Sequence, residues 1–152
     1  MQISLIAVGR LGAGPEKTLI DTYQKRLGWS FSIKEIEIKK RLSDAERQIA
    51  EADALIAAIP DGAAVIALDE RGKALNSREF AGWIEDKTIG GQSKLAILIG
   101  GADGLTDNVR AKADLLLSFG RLTWPHMLVR AMVAEQVYRA ETILRGHPYH
   151  RD

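Results

Sequence analysis

Apolar and polar positions along the chain switch between a period of two and a period near 3.6, and the switches divide it into strands and helices. Gln2 to Val8 reads as a buried strand, and Gly9 to Pro15 as a glycine-rich loop. A helical segment follows from about Glu16 to Leu27. Phe31 to Ile38 alternates apolar and polar, the pattern of a half-exposed strand. Leu42 to Ile59 is helical, with Ser43 as N-cap and Glu46 three residues on, the signature of a capping box. Ala63 to Leu68 is a strand and Asp69 to Gly72 a turn; Asn76 or Ser77 opens a helix that ends near Lys87. Lys94 to Ile99 is a fully apolar strand core, Gly100 to Gly104 a loop, Thr106 to Ala113 a short helix and Leu115 to Leu117 a short strand. Strands alternating with helices predict an α/β fold, a mainly parallel sheet with helices on both faces. No linker, repeat or low-complexity segment interrupts residues 1–152, so one domain is expected.

The last helix is the longest. Pro125 suits a first-turn position, with Thr123 or Trp124 as N-cap, while Gly146 and Pro148 mark its end. Leu128, Val129, Met132, Val133, Val137, Tyr138 and Leu144 recur at three- and four-residue spacing. The helix is apolar on most sides, more than one small sheet can cover, which predicts a homodimer using part of it. Glu135 and Arg139 are spaced to pair along one face, either as a solvated stripe, the commoner case, or as part of a site.

Composition narrows the classes. A chain of 152 residues with 46% hydrophobic and 27% charged residues is ordinary globular. A net charge of +1 gives no global polybasic field, so a nucleic-acid reading rests on a local patch. Without cysteine there is no disulfide, thiolate metal site or cysteine nucleophile. The first residues, MQISLIAVGR, are too short in apolar length for a signal peptide, and no run approaches the roughly 18 apolar residues of a membrane span. A cytoplasmic protein without membrane contact is expected.

Ligands of open α/β sheets sit at the carboxyl ends of the strands, where four loops compete. Gly9, Gly12 and Gly14 reverse the glycine spacing of a dinucleotide fingerprint, so a cofactor there is the weaker reading. Asp69 is either part of a charged turn or a strand-end carboxylate facing a ligand. Gly100, Gly101 and Gly104 allow close backbone approach and φ > 0, and a Cβ at Gly101 is expected to block a ligand. Ser118 to Pro125 is the fourth loop. His126, His147 and His150 lack zinc-site spacing, so no metal is expected, and there is no G-x-S-x-G elbow.

LDERGK at 68–73, LIGGADG at 98–104, LSFGRLTWPHMLVRAMVAEQVYRA at 117–140 and GHPYHRD at 146–152 together resemble the ribosomal large-subunit methyltransferase H family, small SPOUT methyltransferases. The T-x-P-H, E-Q-x-Y-R-A and H-P-Y-H-R succession is the specific part, and the resemblance spans essentially the whole chain. It implies a C-terminal trefoil knot, a homodimer, S-adenosylmethionine as cofactor, and methylation of N3 of a pseudouridine in large-subunit rRNA, with the assembled ribosome as partner. Carried over by position, Leu68, Asp69, Gly100, Gly101, Gly104, Gly120, Arg121, Leu122, Thr123, Trp124 and Pro125 would bind the cofactor, with Arg121 turned to solvent or RNA. Tyr149, His150 and Arg151 would complete the catalytic site across the dimer interface. His150 would relay the N3 proton, and Arg151, Arg139 or Arg130 would hold the developing negative charge or a phosphate. The alternative is a knotted protein that binds RNA or a nucleotide without catalysis.

Overall fold

The computed structural model describes residues 1–151. Its elements are β1 (Gln2–Val8), α1 (Pro15–Arg26), β2 (Ser30–Ile36), α2 (Asp44–Ala57), β3 (Ala64–Lys73), α3 (Ser77–Ile89), β4 (Lys94–Ile99), α4 (Asp107–Lys112), β5 (Leu115–Leu117) and α5 (His126–Leu144). The five strands form one sheet in the order β2-β1-β4-β3-β5, every pairing parallel.

Register sorts the side chains between the two faces. Ile33, Leu5, Ile97, Ile66 and Leu115 lie opposite one another across all five strands. This row belongs to the core beneath α1, α3 and α5, which contribute Ile20, Phe80, Ile84, Val133 and Val137. One residue along, Ile6, Leu98 and Ala67 point to the other face, against Ala52 and Leu55 of α2 and Val109 of α4. The inner strands are buried on both sides, so they read as continuous apolar runs. Each fully buried Leu or Ile contributes about 1.5–3 kcal/mol of transfer free energy.

The helix starts are set locally. Ser43 and Glu46 form the expected capping box: Glu46 N donates to Ser43 Oγ (3.3 Å) and Ser43 N to Glu46 Oε2 (2.9 Å). Asn76 and Glu79 repeat the device at α3. At α5, Pro125 is itself the N-cap, with ψ 132, and no side chain caps the helix. The expected cap at Thr123 or Trp124 is therefore one or two residues early, because Pro125 fixes φ without entering the helical ψ range. Past the other end, Gly146 has φ 66 and His147 N donates to Thr142 O (2.9 Å), closing the helix as expected.

The turn expected at Asp69 to Gly72 is an excursion inside a longer strand. Leu68 and Lys73 both pair with Leu117, so the residues between them bulge out while β3 resumes beyond. Asp69 Oδ1 accepts from Arg71 N (2.8 Å), giving the bulge its own hydrogen bond. Glycine is required at its end: a Cβ on Gly72 would lie 2.6 Å from the backbone carbon of Leu117.

Candidate active site

Three loops leave the carboxyl ends of neighbouring strands β4, β3 and β5 and enclose a cavity of about 460 Å³, a size typical of small-molecule sites. Leu68 and Asp69 line it from the β3 bulge, and Gly100, Gly101 and Gly104 from the β4 loop. Gly120, Arg121, Leu122, Thr123 and Trp124 line it from the β5–α5 loop. Pro125 does not; it is occupied in starting α5. The Gly9 to Gly14 loop also stays outside, in keeping with its reversed glycine order.

The β4 loop is a tight turn closed by Gly104 N donating to Gly101 O (3.0 Å), with φ 74 at Gly104. Gly120 has φ 104, and its N–H donates to Ser118 Oγ (3.2 Å). Side chains other than glycine rarely adopt either φ. The expectation for Gly101 needs correcting. Its missing Cβ does not point to the cavity: it would lie 2.6 Å from Oε2 of Glu51 and 3.1 Å from Val8 Cγ1. Gly101 is small because the nearly buried Glu51 carboxylate of α2 packs directly behind it.

Several lining residues escaped the sequence reading. Arg110, on α4, donates from Nε to Asp69 Oδ2 (2.7 Å), and the Asp69 side chain is only 4% exposed. Burial pushes the Asp69 carboxyl up, but the Arg71 N–H and the Arg110 guanidinium outweigh it and hold it below its ordinary value. Asp69 thus stays ionised and fixes the β3 bulge. His126 opens α5 with Nε2 against the Gly100 carbonyl oxygen, joining two of the three loops. Ser118 and Phe119, inside the expected fourth loop, also line the cavity, and Trp124 Nε1 donates to Phe119 O (3.2 Å). The signal for His126 was present in the Trp124-Pro125-His126 step; Arg110 gave none, because its partner is 41 residues away.

The tail residues Tyr149, His150 and Arg151 do not line this cavity. Tyr149 and His150 return instead along α5. The Tyr149 hydroxyl donates to Glu135 Oε1 (3.1 Å), the Arg139 guanidinium lies 4.8 Å from the Tyr149 ring, and Arg139 Nη1 lies 3.3 Å from His150 Nδ1. The Tyr138 ring meets Tyr149 edge-on at 4.7 Å. Burial first, then Tyr23 and the Glu135 carboxylate, pushes the Tyr149 phenol well above its ordinary value, so it stays protonated. Of the two readings of the Glu135–Arg139 pair, the solvated stripe is overturned: both side chains are largely covered and the tail docks on them. Arg151 is exposed, Arg139 is engaged by Glu135, Tyr149 and His150, and Arg130 is closed off from any substrate. Arg130 is fully buried, donating from Nη2 to Val8 O and Gly9 O (both 2.8 Å) and from Nη1 to Glu35 Oε1 (3.1 Å). Its role is to tie α5 to the end of β1.

Among the described residues, no cluster of three or more His, Asp or Glu could hold a metal, and no helix is long and apolar enough to cross a membrane.

An all-parallel sheet with a small-molecule cavity among glycine-rich loops at its carboxyl edge defines a ligand-binding α/β protein. The family model described as "Predicted SPOUT methyltransferase" matches residues 1–150. The chain is 52% identical to "Ribosomal RNA large subunit methyltransferase H" of Rhodospirillum centenum, over 99% of both chains. It is 51% identical to the protein of the same name from Paramagnetospirillum magneticum, again over 99% of both. In fold it is similar to a probable methylase family protein from Haemophilus influenzae Rd KW20, with a TM-score of 0.59 at 15% identity, covering 95% of this chain and 66% of that one. The chain therefore belongs to the SPOUT methyltransferases and, among them, to the ribosomal RNA large subunit methyltransferase H family.

Proposed function

We propose that the protein transfers a methyl group from S-adenosylmethionine to N3 of a pseudouridine in large-subunit rRNA, acting in the cytoplasm as a knotted homodimer on the assembled ribosome. The observation that carries the reading is the cavity among the β3, β4 and β5 loops. Its walls include Gly100, Gly101, Gly104 and Gly120, where the main chain carries no side chain and a nucleoside can approach it closely. The cofactor fits a glycine-walled cavity of about 460 Å³, and when bound it would supply an electrophilic methyl group. Leu68, Leu122 and Trp124 provide apolar surface, while Asp69, ionised and locked by Arg110, shapes the wall.

The knot reading is supported by contacts of the C-terminal segment with both other loops: Gly72 packs on the Leu116–Leu117 backbone, and His126 meets the Gly100 carbonyl. The dimer is supported by Leu122 and Trp124, 74% and 38% exposed beside the cavity. It is also supported by the tail's position. The tail docks at Glu135, about 9 Å along α5 from Val129, the cavity-lining residue nearest to it on the helix, and Tyr149, His150 and Arg151 do not line their own copy's cavity. A site assembled from the loops of one copy and the tail of another meets both observations.

The chemistry requires the pseudouridine N3–H bond to break as N3 takes the methyl group, while the methyl–sulfur bond of the donor would break with its electron pair left on sulfur, releasing S-adenosylhomocysteine. Arg139 and Arg151 supply positive charge to the base oxygens that hold the developing negative charge. His150, once its contact with Arg139 is exchanged for substrate, relays the N3 proton. Tyr149, kept protonated, anchors the tail. Calorimetry with S-adenosylmethionine tests the cavity, with one site per chain expected. Incubation with cofactor and large ribosomal subunits tests the reaction: one methyl per subunit on a pseudouridine is expected, and its absence from a folded, cofactor-loaded protein would refute the reading.

A further inference from the structure

We infer that the β2–α2 connection is a docking surface for rRNA phosphates, an inference that rests on the proposed ribosomal substrate. Lys39, Lys40 and Arg41 follow one another in this connection, all three exposed. The acids around them are otherwise engaged, except for the exposed Glu37. Asp44 pairs with Arg47 (3.5 Å), and Glu46 Oε2 accepts from both the N–H and the hydroxyl of Ser43. Three cations in succession inside a chain of net charge +1 are therefore a local concentration of positive charge.

Their place in the fold matters more than their number. The connection leaves the carboxyl end of β2, so it emerges on the same edge of the sheet as the cavity. Only β1 separates β2 from β4, which places the run about 10 Å to one side of the β4 loop at the usual strand spacing. The run is also held at both ends. Ile36 O accepts from Gly9 N (2.8 Å), and the Ser43–Glu46 capping box fixes the start of α2. Leu11 N donates to Glu35 Oε1 (2.7 Å), so the β1–α1 loop, with its exposed Arg10, is tied to the same corner. A pre-positioned row of cations beside a base-modifying cavity suits a polyanion whose target nucleotide enters the cavity while its backbone runs across the sheet edge. It suits phosphate rather than base recognition, because no aromatic or amide side chain lies in 37–42.

The test is the triple variant Lys39→Gln/Lys40→Gln/Arg41→Gln. Binding to purified large ribosomal subunits is measured by fluorescence anisotropy at several salt concentrations, alongside S-adenosylmethionine calorimetry and methyl incorporation. Losing three phosphate contacts should lower the slope of log affinity against log salt by about 2–3. Affinity near 0.1 M salt should fall tenfold or more, while cofactor affinity stays unchanged. An unchanged slope and affinity would overturn the inference, as would an affinity loss with no change in slope. If the wild type binds subunits but methylates nothing, the enzymatic reading fails while the binding arm still decides whether this surface holds RNA.

Discussion

Gly101 and Glu51 offer a direct check on how the cavity loop is built. Replacing Gly101 by Ala places a Cβ 2.6 Å from Glu51 Oε2 and 3.1 Å from Val8 Cγ1, the first about 0.8 Å inside ordinary contact. Glu51 is nearly buried, so its carboxylate cannot swing freely into water. Overpacking of this kind costs about 1–3 kcal/mol. Glu51→Ala removes the offending group and leaves only the Val8 contact, so Gly101→Ala in that background should cost less by about 1–2 kcal/mol. Urea denaturation of the two single variants and the double variant at pH 7 measures this coupling. Costs that simply add, to within about 0.5 kcal/mol, would refute the claim that Glu51 is what forbids a side chain here. The carboxylate also gives a pH signature. Burial, helped by Asp103, raises its proton affinity above the ordinary value of 4.5. The folded state then binds more protons than the unfolded state, so stability falls as pH rises from that ordinary value through the raised one. Glu51→Gln lacks this loss and should gain on the wild type between pH 4 and pH 7. A constant difference would show that the carboxylate is not penalised by burial.

Arg130→Met should destabilise the fold by about 3 kcal/mol in urea, because it strips partners from the Val8 and Gly9 carbonyls and from Glu35; a change below about 1 kcal/mol would mean that water replaces the guanidinium. The Asp69 carboxyl is held below its ordinary value of 3.8, so its advantage over Asn is present above that value and is lost as pH falls through the lowered one. Asp69→Asn should thus be clearly less stable than wild type at pH 7, with the gap narrowing as pH falls below 3.8, as thermal melts would show. Deleting Tyr149 to Asp152 should leave cofactor affinity nearly intact by calorimetry and remove most methyl transfer. Mixing that variant with one damaged in the β4 loop should restore part of the activity if subunits share a site, and no recovery would argue for a site within one chain.

The sheet was legible because its inner strands carry uninterrupted apolar runs such as LAILI at 95–99, and because capping boxes at Ser43 and Asn76 announce the helix starts. Strand order was not legible: β4 pairs with β1 and β3 through contacts far apart in sequence, which periodicity does not encode. The β3 bulge was read as a turn because Asp69 to Gly72 has turn composition, whereas the resumption of the strand at Lys73 depends on β5. Glycine loops marked the cavity correctly, but the reason for Gly101 lay on the other side of the loop, in a glutamate 50 residues earlier. Arg130 looked like a substrate ligand from its position on the last helix. Only the fold shows its guanidinium closed over by the ends of β1 and β2.

Nucleoside mass spectrometry of large-subunit rRNA from cells lacking this gene, before and after complementation, tests the proposed methyl transfer most directly. A methylated pseudouridine should be missing in the deletion strain, return with the wild-type gene, and fail to return with the gene truncated before Tyr149. An rRNA nucleoside profile unchanged by the deletion would contradict the proposal.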